Sequence, residues 1–500
     1  MNPRDARLAW CLFGCLCALY LLTAGGHFYS SDGHQKFAVL ATVLEEGTTA
    51  IDGGWIQGRF GLRYAWFPLG ASLVMLPGYL VGRALAPWLP GVAPHDVERV
   101  VVALQNAGVT AALAVAMFQA LRWMGHSARA SLAAALAFGL GTAAWPYAKT
   151  CWSEPAATLA LFLGLVGLWR LVQAEERPQG SPLRAWGVGS CLALALLIRQ
   201  EFLVPVIGAA AWLGWLNRRG HRPSNATLVG LGVPLALGLG LHLAYEHVRW
   251  GAWLSFPNYR LPREGTGAAL EAWRILEGVF RHSISPNQGL LFFSPAALLG
   301  LAGLRAWGRR CRPLVGLLGA ALVPLFAFYV VGWGPSSWAW GMRYSYVFLP
   351  FLMLPAAELF ERPLGAWARL CLGAGLVVQL VAVPYDFVYL YQRELAQHPG
   401  TRIMAIMSEP LRSPLLLALR ALPDLGRGAP PVWLPPPSSS PDANALRRAR
   451  AELVPDFWWC LFRRTLVPPH LLNGLALTIA AFGLACLMEL RRTSRLASGS

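Results

Sequence analysis

Lysine is almost missing from this chain of 500 residues: only Lys36 and Lys149 occur, and charged residues of every kind make up 13% of it. A water-soluble chain of this length carries roughly twice that share of charge, so a free-standing aqueous fold is excluded. The nine cysteines are an odd number and lie mostly within apolar runs (Cys11, Cys15, Cys17, Cys191, Cys371, Cys486). With no CxxC pair, they spell neither a disulfide framework nor a thiolate metal site. HExxH and paired-histidine spacings are missing too, and no internal repeat points to a transporter built from symmetric halves. The formal net charge of +17 comes from scattered arginine clusters rather than a basic domain, so nucleic acid is not an expected partner.

What is present is lipid-compatible surface. The chain is 56% hydrophobic, with a mean hydropathy of +0.45. The expected fold is an all-α polytopic membrane protein with membrane lipids as its surroundings. Arg4 and Arg7 precede an apolar run from Leu8 to about Gly25, whose small residues at Ala24, Gly25 and Gly26 also suit a signal-peptide cleavage site; the reading taken is an uncleaved first helix. Further spans are expected at about 98–121, 130–147, 156–172, 187–198, 202–216, 226–245, 288–304, 314–332, 344–360, 368–387 and 470–489, about twelve in all.

The run from Trp66 to Ala86, broken by Pro68, Gly70, Pro77 and Gly78, is read as juxtamembrane. Counting it as a span would turn the arginine clusters outward. Left out, it places Arg122 and Arg129, Arg218, Arg219 and Arg222, Arg305, Arg309, Arg310 and Arg312, and Arg491, Arg492 and Arg495 on the cytoplasmic side, with both termini. The expected organisation is a transmembrane domain over 1–390 with an external loop at 26–97, an external segment at 391–469 with a Pro/Ser linker, and a last helix and tail at 470–500.

In this topology the external side receives Asp32 and Lys36, Lys149 and Glu154, Arg199 to Glu201, His282 to Gln288, and Arg343. Ionisable groups beside lipid are costly, so they are functional candidates. Each also has a plainer reading. Asp32 can cap the following helix with Gln35 returning the bond, and Glu154 before Pro155 suits a helix dipole. Lys149 can snorkel, Arg343 can anchor at the interface, and Arg199 with Glu201 can form a simple pair at a hairpin tip. His242 and Glu246 are the nearest approach to a transporter's proton relay.

The order of features resembles a known family. A first helix, an external loop with an early Asp, an interfacial apolar run, the SEP stretch at Ser153, SPNQGLLFFSP from Ser285, WGPSSWAWGMRYSYVFLPFLMLP from Trp333, and DFWW from Asp456 are similar to the bacterial GT-C membrane glycosyltransferases. The relatives of protein O-mannosyltransferases and lipid A aminoarabinose transferases are the nearest branch, and the likeness runs from Leu8 to about Pro355. It implies sugar transfer from a polyprenyl-phosphate donor to a lipid, glycan or protein acceptor at the outer face of a bacterial inner membrane, with the early Asp, here Asp32, as catalytic base. Asp32 is followed by Gly33 and belongs to no DD, DE or DxD pair. No cofactor is expected, and the use of a divalent cation stays open.

The chemistry fits these residue types. A hydroxyl acceptor needs a carboxylate to take its proton, which assigns Asp32, and attack opposite the lipid phosphate inverts the anomeric carbon. Lys36, Lys149, Arg199 and Arg343 are the candidate cations for the departing phosphate. Glu154 is the second catalytic candidate, orienting the acceptor or tuning Lys149, and Trp338 and Trp340 are candidates to stack on the sugar or cover the prenyl chain. The alternative is a transporter or lipid flippase without covalent chemistry.

Overall fold

The structure is a computed structural model that describes residues 2–175, 182–221, 223–254, 272–332, 338–341, 343–398, 409–425, 454–462 and 468–498. The Pro/Ser linker from Ala429, most of the charged stretch from Asp442, and Trp333 to Ser337 lie outside the described residues.

Helix α1 (Pro3–Thr23) starts on proline, with the Asn2 side chain accepting from Asp5 N at 2.7 Å. Proline suits a first helical position, whose amide has no intrahelical partner. It is followed by α2 (Ser31–Glu45), the short α3 (Gly70–Leu73), α4 (Leu76–Leu85), α5 (Pro94–Trp123), α6 (Ala128–Gly141) and α7 (Ala144–Ala148). Next come α8 (Glu154–Glu175), α9 (Pro182–Ile198), α10 (Leu203–Arg218), α11 (Asn225–Trp250), α12 (Ala272–Ser283), α13 (Leu290–Phe293), α14 (Ala297–Arg310) and α15 (Arg312–Gly332). The last are α16 (Leu349–Met353), α17 (Ala357–Phe360), α18 (Ala366–Ala382), α19 (Phe387–Gln397), α20 (Pro414–Ala421), α21 (Trp458–Leu461) and α22 (Pro469–Ser498). A two-stranded antiparallel hairpin, Ile56–Gln57 with Arg63–Tyr64, lies in the first long loop.

Six of these helices, α1, α5, α8, α11, α15 and α22, are long and apolar enough to cross a membrane, and the α18–α19 pair, bent by 64°, makes up to seven. The other expected spans are present as shorter or broken pieces. The run expected at 130–147 stops at Thr142, whose hydroxyl donates to Phe138 O at 2.6 Å while Ala143 N turns to Ser294 Oγ at 3.0 Å. The run expected at 344–360 is a chain of helical turns interrupted at Pro350 and Pro355, and Pro384 marks the bend after α18. Proline removes an amide donor and clashes with the preceding turn, so these pieces cannot continue as one straight helix. The broken run at Trp66 to Ala86 yields only α3 and α4; α4 lies on α5, with Gly78 N donating to Gln105 Oε1 at 3.1 Å.

The two ends of the bundle differ. Helices α1 and α22 run antiparallel, and Arg7 pairs with Glu489 at 2.7 Å while Arg4 reaches Thr493 O. Arg122 pairs with Asp5 at 3.2 Å and Arg310 with Glu358 at 3.4 Å at the same end. The expected cytoplasmic arginines Arg122 and Arg310 therefore lie at the end of the bundle where α1 begins and α22 finishes. At the opposite end, α1, α9, α11 and α15 finish and α5 and α8 begin. Arg249, at the end of α11, is buried and donates to Ala65 O at 2.6 Å and Phe67 O at 3.0 Å, fixing the first long loop there.

Candidate active site

One ionic cluster at the second end gathers five of the eight predicted site residues. Asp32 lies in the first turn of α2, yet it caps nothing: the residue before the helix is Ser30, and the Asp32 carboxylate instead accepts from Arg343 at 3.0 Å. Arg343, which opens a 3-10 segment running to Phe348, also faces Glu154 at 3.5 Å. Glu154 begins α8 and accepts from Arg199 at 2.7 Å. Arg199, in the extended break after α9, donates its Nε to Glu201 at 2.7 Å, and Tyr329 at the end of α15 donates to the same carboxylate at 3.4 Å. The result is an alternating row, Asp32, Arg343, Glu154, Arg199, Glu201, built from four separate stretches of chain.

Lys36 stands one turn beyond Asp32 on α2 and is buried. Its ammonium donates to Ser153 Oγ at 3.4 Å and lies 4.5 Å over the Phe67 ring. Burial pushes the Lys36 ammonium below the usual lysine value, against the opposing pull of Asp32 and Glu154. Together the cluster holds three carboxylates and three cations. That balance is what a low-dielectric setting demands, because each charge left unpaired there would cost several kcal/mol. Aromatic rings complete it: Arg343 lies 5.5 Å from the Trp152 ring and 5.1 Å from that of Tyr344, and Arg199 is 5.2 Å from Tyr344.

Three predicted residues stand elsewhere. Lys149 does not approach Glu154; its ammonium is fully buried and pairs with Asp456 Oδ2 at 3.1 Å, with further bonds to Val383 O and Tyr385 O. Its carboxylate partner is thus not the sequence neighbour offered as tuning it but a residue far down the chain. Burial lowers the Lys149 value, with Asp456 opposing. Although its own burial acts the other way, the Lys149 ammonium and the hydrogen bonds from His27 and Tyr29 hold the Asp456 carboxyl well below the usual range. Trp340 is packed among Phe293 and Phe387 with 1% of its surface exposed, leaving no free ring face for a sugar. Trp338 is half-buried, edge-on to Tyr391.

Tyr344 and Trp152 belong to the cluster without having been singled out, and Glu201 belongs to it without having been assigned a role. Glu201 was visible as Arg199's neighbour; the two rings carry no signal that separates them from the other aromatics. Among the described residues, no group of three or more His, Cys, Asp or Glu could hold a metal ion.

An apolar cleft of about 480 Å³ opens between α14 and α15, lined by residues such as Leu301, Leu304, Leu318, Leu322 and Phe326. Its upper rim includes His282, whose Nδ1 lies 2.9 Å from Ser345 Oγ, and Phe348, edge-on to Tyr329 at 6.2 Å. One end of the cleft is therefore a single side chain away from the ionic row. The other end reaches Trp307 and Val315, near the α14–α15 turn.

No protein-family profile matches the chain, and no curated protein matches it. Among solved structures, it is similar to ArnT from Cupriavidus metallidurans bound to undecaprenyl phosphate, at 14% identity over 97% of this chain and 76% of that one, with a TM-score of 0.45. It is similar to the apo state of the same protein at 16% identity over 96% and 74%, with a TM-score of 0.46. The apo oligosaccharyltransferase from Archaeoglobus fulgidus is 11% identical over 82% of this chain and 60% of that one, with a TM-score of 0.43.

Proposed function

We propose that the chain is a membrane glycosyltransferase that moves a sugar from a polyprenyl-phosphate donor to an acceptor hydroxyl at the outer face of the bacterial inner membrane. The observation that carries this reading is the row from Asp32 to Glu201, set at one end of an apolar bundle beside a lipid-sized cleft. Its Asp32 end is the more open: the Asp32 and Arg343 side chains keep 14% and 17% of their surface, against 6% for Glu154 and 10% for Arg199. Substrate has access where the row begins.

A donor phosphate entering there competes with Asp32 for Arg343. A guanidinium can hold phosphate through two parallel bonds, and Lys36 adds a second cation close by. Asp32, released from its partner, is then free to accept the proton of the acceptor hydroxyl as the new carbon–oxygen bond forms. The bond between the anomeric carbon and the phosphate oxygen breaks on the far side, which inverts that carbon, and the charge arriving on polyprenyl phosphate falls on cations already in position. Glu154 keeps Arg343 and Arg199 aligned throughout. The apolar cleft takes the first part of the prenyl chain, and its open side lets the rest remain in lipid. The arginines at the opposite end support a cytoplasmic position for both termini.

The test uses purified protein in lipid nanodiscs with a panel of radiolabelled polyprenyl-phosphate sugars, comparing wild type with Asp32→Asn. Transfer that is lost in the variant, while binding of polyprenyl phosphate persists, is the expected result. Full transfer by the variant would remove Asp32 as the base. If wild type transfers no sugar from any donor but carries polyprenyl phosphate across sealed liposomes, the flippase reading replaces this one.

A further inference from the structure

A second buried carboxylate lies close to the first loop but takes no part in the ionic row. Asp456 precedes α21, and its two oxygens are divided among three side chains. Oδ1 lies 2.7 Å from His27 Nε2, and Oδ2 accepts from the Tyr29 phenol and, at 3.1 Å, from Lys149. All four residues are buried. The backbone around them is tied as well: Asp456 N donates to Pro384 O at 2.8 Å and Trp458 N to Ala24 O at 2.7 Å. The indoles of Trp458 and Trp459 donate to Leu21 O and Leu22 O, both at 2.8 Å.

The place of these partners in the chain gives the cluster its meaning. Tyr29 lies three residues before Asp32, and Lys149 lies five residues before Glu154. One carboxylate from the C-terminal part of the chain thus fixes both stretches that deliver the candidate catalytic carboxylates. Two further contacts pass the constraint on: Trp152 donates its indole N–H to Ser30 Oγ at 3.2 Å, and Tyr29 stacks on Phe387 at 5.3 Å. The first loop is shaped to receive the clamp. A Cβ on Gly25 would stand 2.8 Å from Asp456 Oδ1, and Gly26 has a φ of +69°, a conformation glycine adopts at little cost.

We infer that Asp456 is a positioning residue for the transfer site, holding Tyr29 and Lys149 so that Asp32 and Glu154 are presented to Arg343 in register. Its catalytic arm rests on the proposed transferase reading; its structural arm does not. A carboxylate is suited to the task because it only accepts, and every group facing it can donate. Asparagine would turn an N–H₂ toward one of those donors and remove the charge that balances Lys149.

The experiment follows backbone hydrogen exchange in the full chain in nanodiscs for wild type, Asp456→Asn, Gly25→Ala and the double variant Lys149→Met with Asp456→Asn. Gly25→Ala displaces the carboxylate with every charge retained, and the double variant balances charge without the tie. In all three, residues 24–36 and 149–154 are expected to exchange about tenfold faster or more, while α5 and α6 exchange as in wild type. Where Asp456→Asn also loosens α5 and α6, the Gly25→Ala result decides. Unchanged exchange in the two loops, or its recovery in the double variant, overturns the inference, because the cluster would then only balance charge. In the transfer assay, kcat is expected to fall about a hundredfold while the half-saturating donor concentration moves less than about threefold. Wild-type protein that transfers no sugar would refute the transferase reading, and the exchange results would still judge the clamp.

Discussion

The Asp32 row and the Asp456 cluster use the same kinds of side chain at the same end of the bundle, yet one is left partly open and the other is closed. Asp32 and Arg343 retain 14% and 17% of their side-chain surface, whereas Lys149 and Asp456 retain 0% and 6%. In the row, Arg343 is shared between two carboxylates, so it can exchange one of them for an incoming anion without being left bare. In the cluster, Asp456 is saturated by three side chains and has nothing to exchange. Shared, half-open ion pairs are suited to handling substrate; saturated, sealed ones are suited to holding the chain in place.

The sharpest way to break this comparison is to neutralise one carboxylate from each region. Asp32→Asn should reduce transfer about a thousandfold, the scale of a lost general base, with a smaller loss of unfolding temperature because Arg343 keeps Glu154 as a partner. Asp456→Asn should lower the unfolding temperature as well as the turnover, since it leaves a buried ammonium without its counter-charge. Thermal unfolding followed alongside transfer separates the two. Equal losses of stability in both variants would erase the distinction between open and sealed.

A smaller effect tests the role of Arg343. Lysine keeps the charge but loses the planar fork, so Arg343→Lys should cost roughly ten- to a hundredfold in kcat while still pairing with Asp32. Were the arginine only an interfacial anchor, the substitution would be silent. Smaller again is the cleft. Leu322→Trp fills space between α14 and α15, and should raise the half-saturating concentration of a long-chain donor about tenfold at little change in kcat. A donor with a short prenyl chain should be used equally well by variant and wild type, which distinguishes a filled cleft from a damaged fold.

The open region was largely legible in the sequence, and the sealed one was not. Asp32, Lys36, Glu154, Arg199 and Arg343 stand out because ionisable residues are scarce in this chain and each of these falls at the end of an apolar run. Scarcity alone was enough to nominate them. It could not pair them: Glu154, a near neighbour, was offered as tuning Lys149, whose partner is Asp456, more than three hundred residues away. Two lysines in an apolar chain each require a carboxylate, so a search for Lys149's partner among the external acids was the one signal that could have found Asp456. Trp340 was misjudged for the opposite reason. In a chain with 22 tryptophans, position in a motif does not separate Trp340, a core residue, from a ring that meets ligand. Span number was blurred by Thr142, Pro350, Pro355 and Pro384, because hydropathy averages over breaks that backbone hydrogen bonding enforces.

The least effect is expected at the other end of the molecule, and it sets the scale for the rest. Arg7 and Glu489 lie 2.7 Å apart, as close as Glu154 and Arg199, but the arginine side chain is 59% exposed. An ion pair in that setting gains little over hydration and loses side-chain freedom, so Arg7→Ala should change stability by no more than about 0.5 kcal/mol and leave transfer unaltered. Distance alone would rank the two pairs together. If Arg7→Ala proved as damaging as a change in the buried row, the division of the bundle into a working end and an orienting end would fail, since charge pairs would then matter equally wherever they stand. A silent Arg7→Ala beside an inactive Asp32→Asn would mean that burial and shared partners, rather than proximity, mark where this chain does its chemistry.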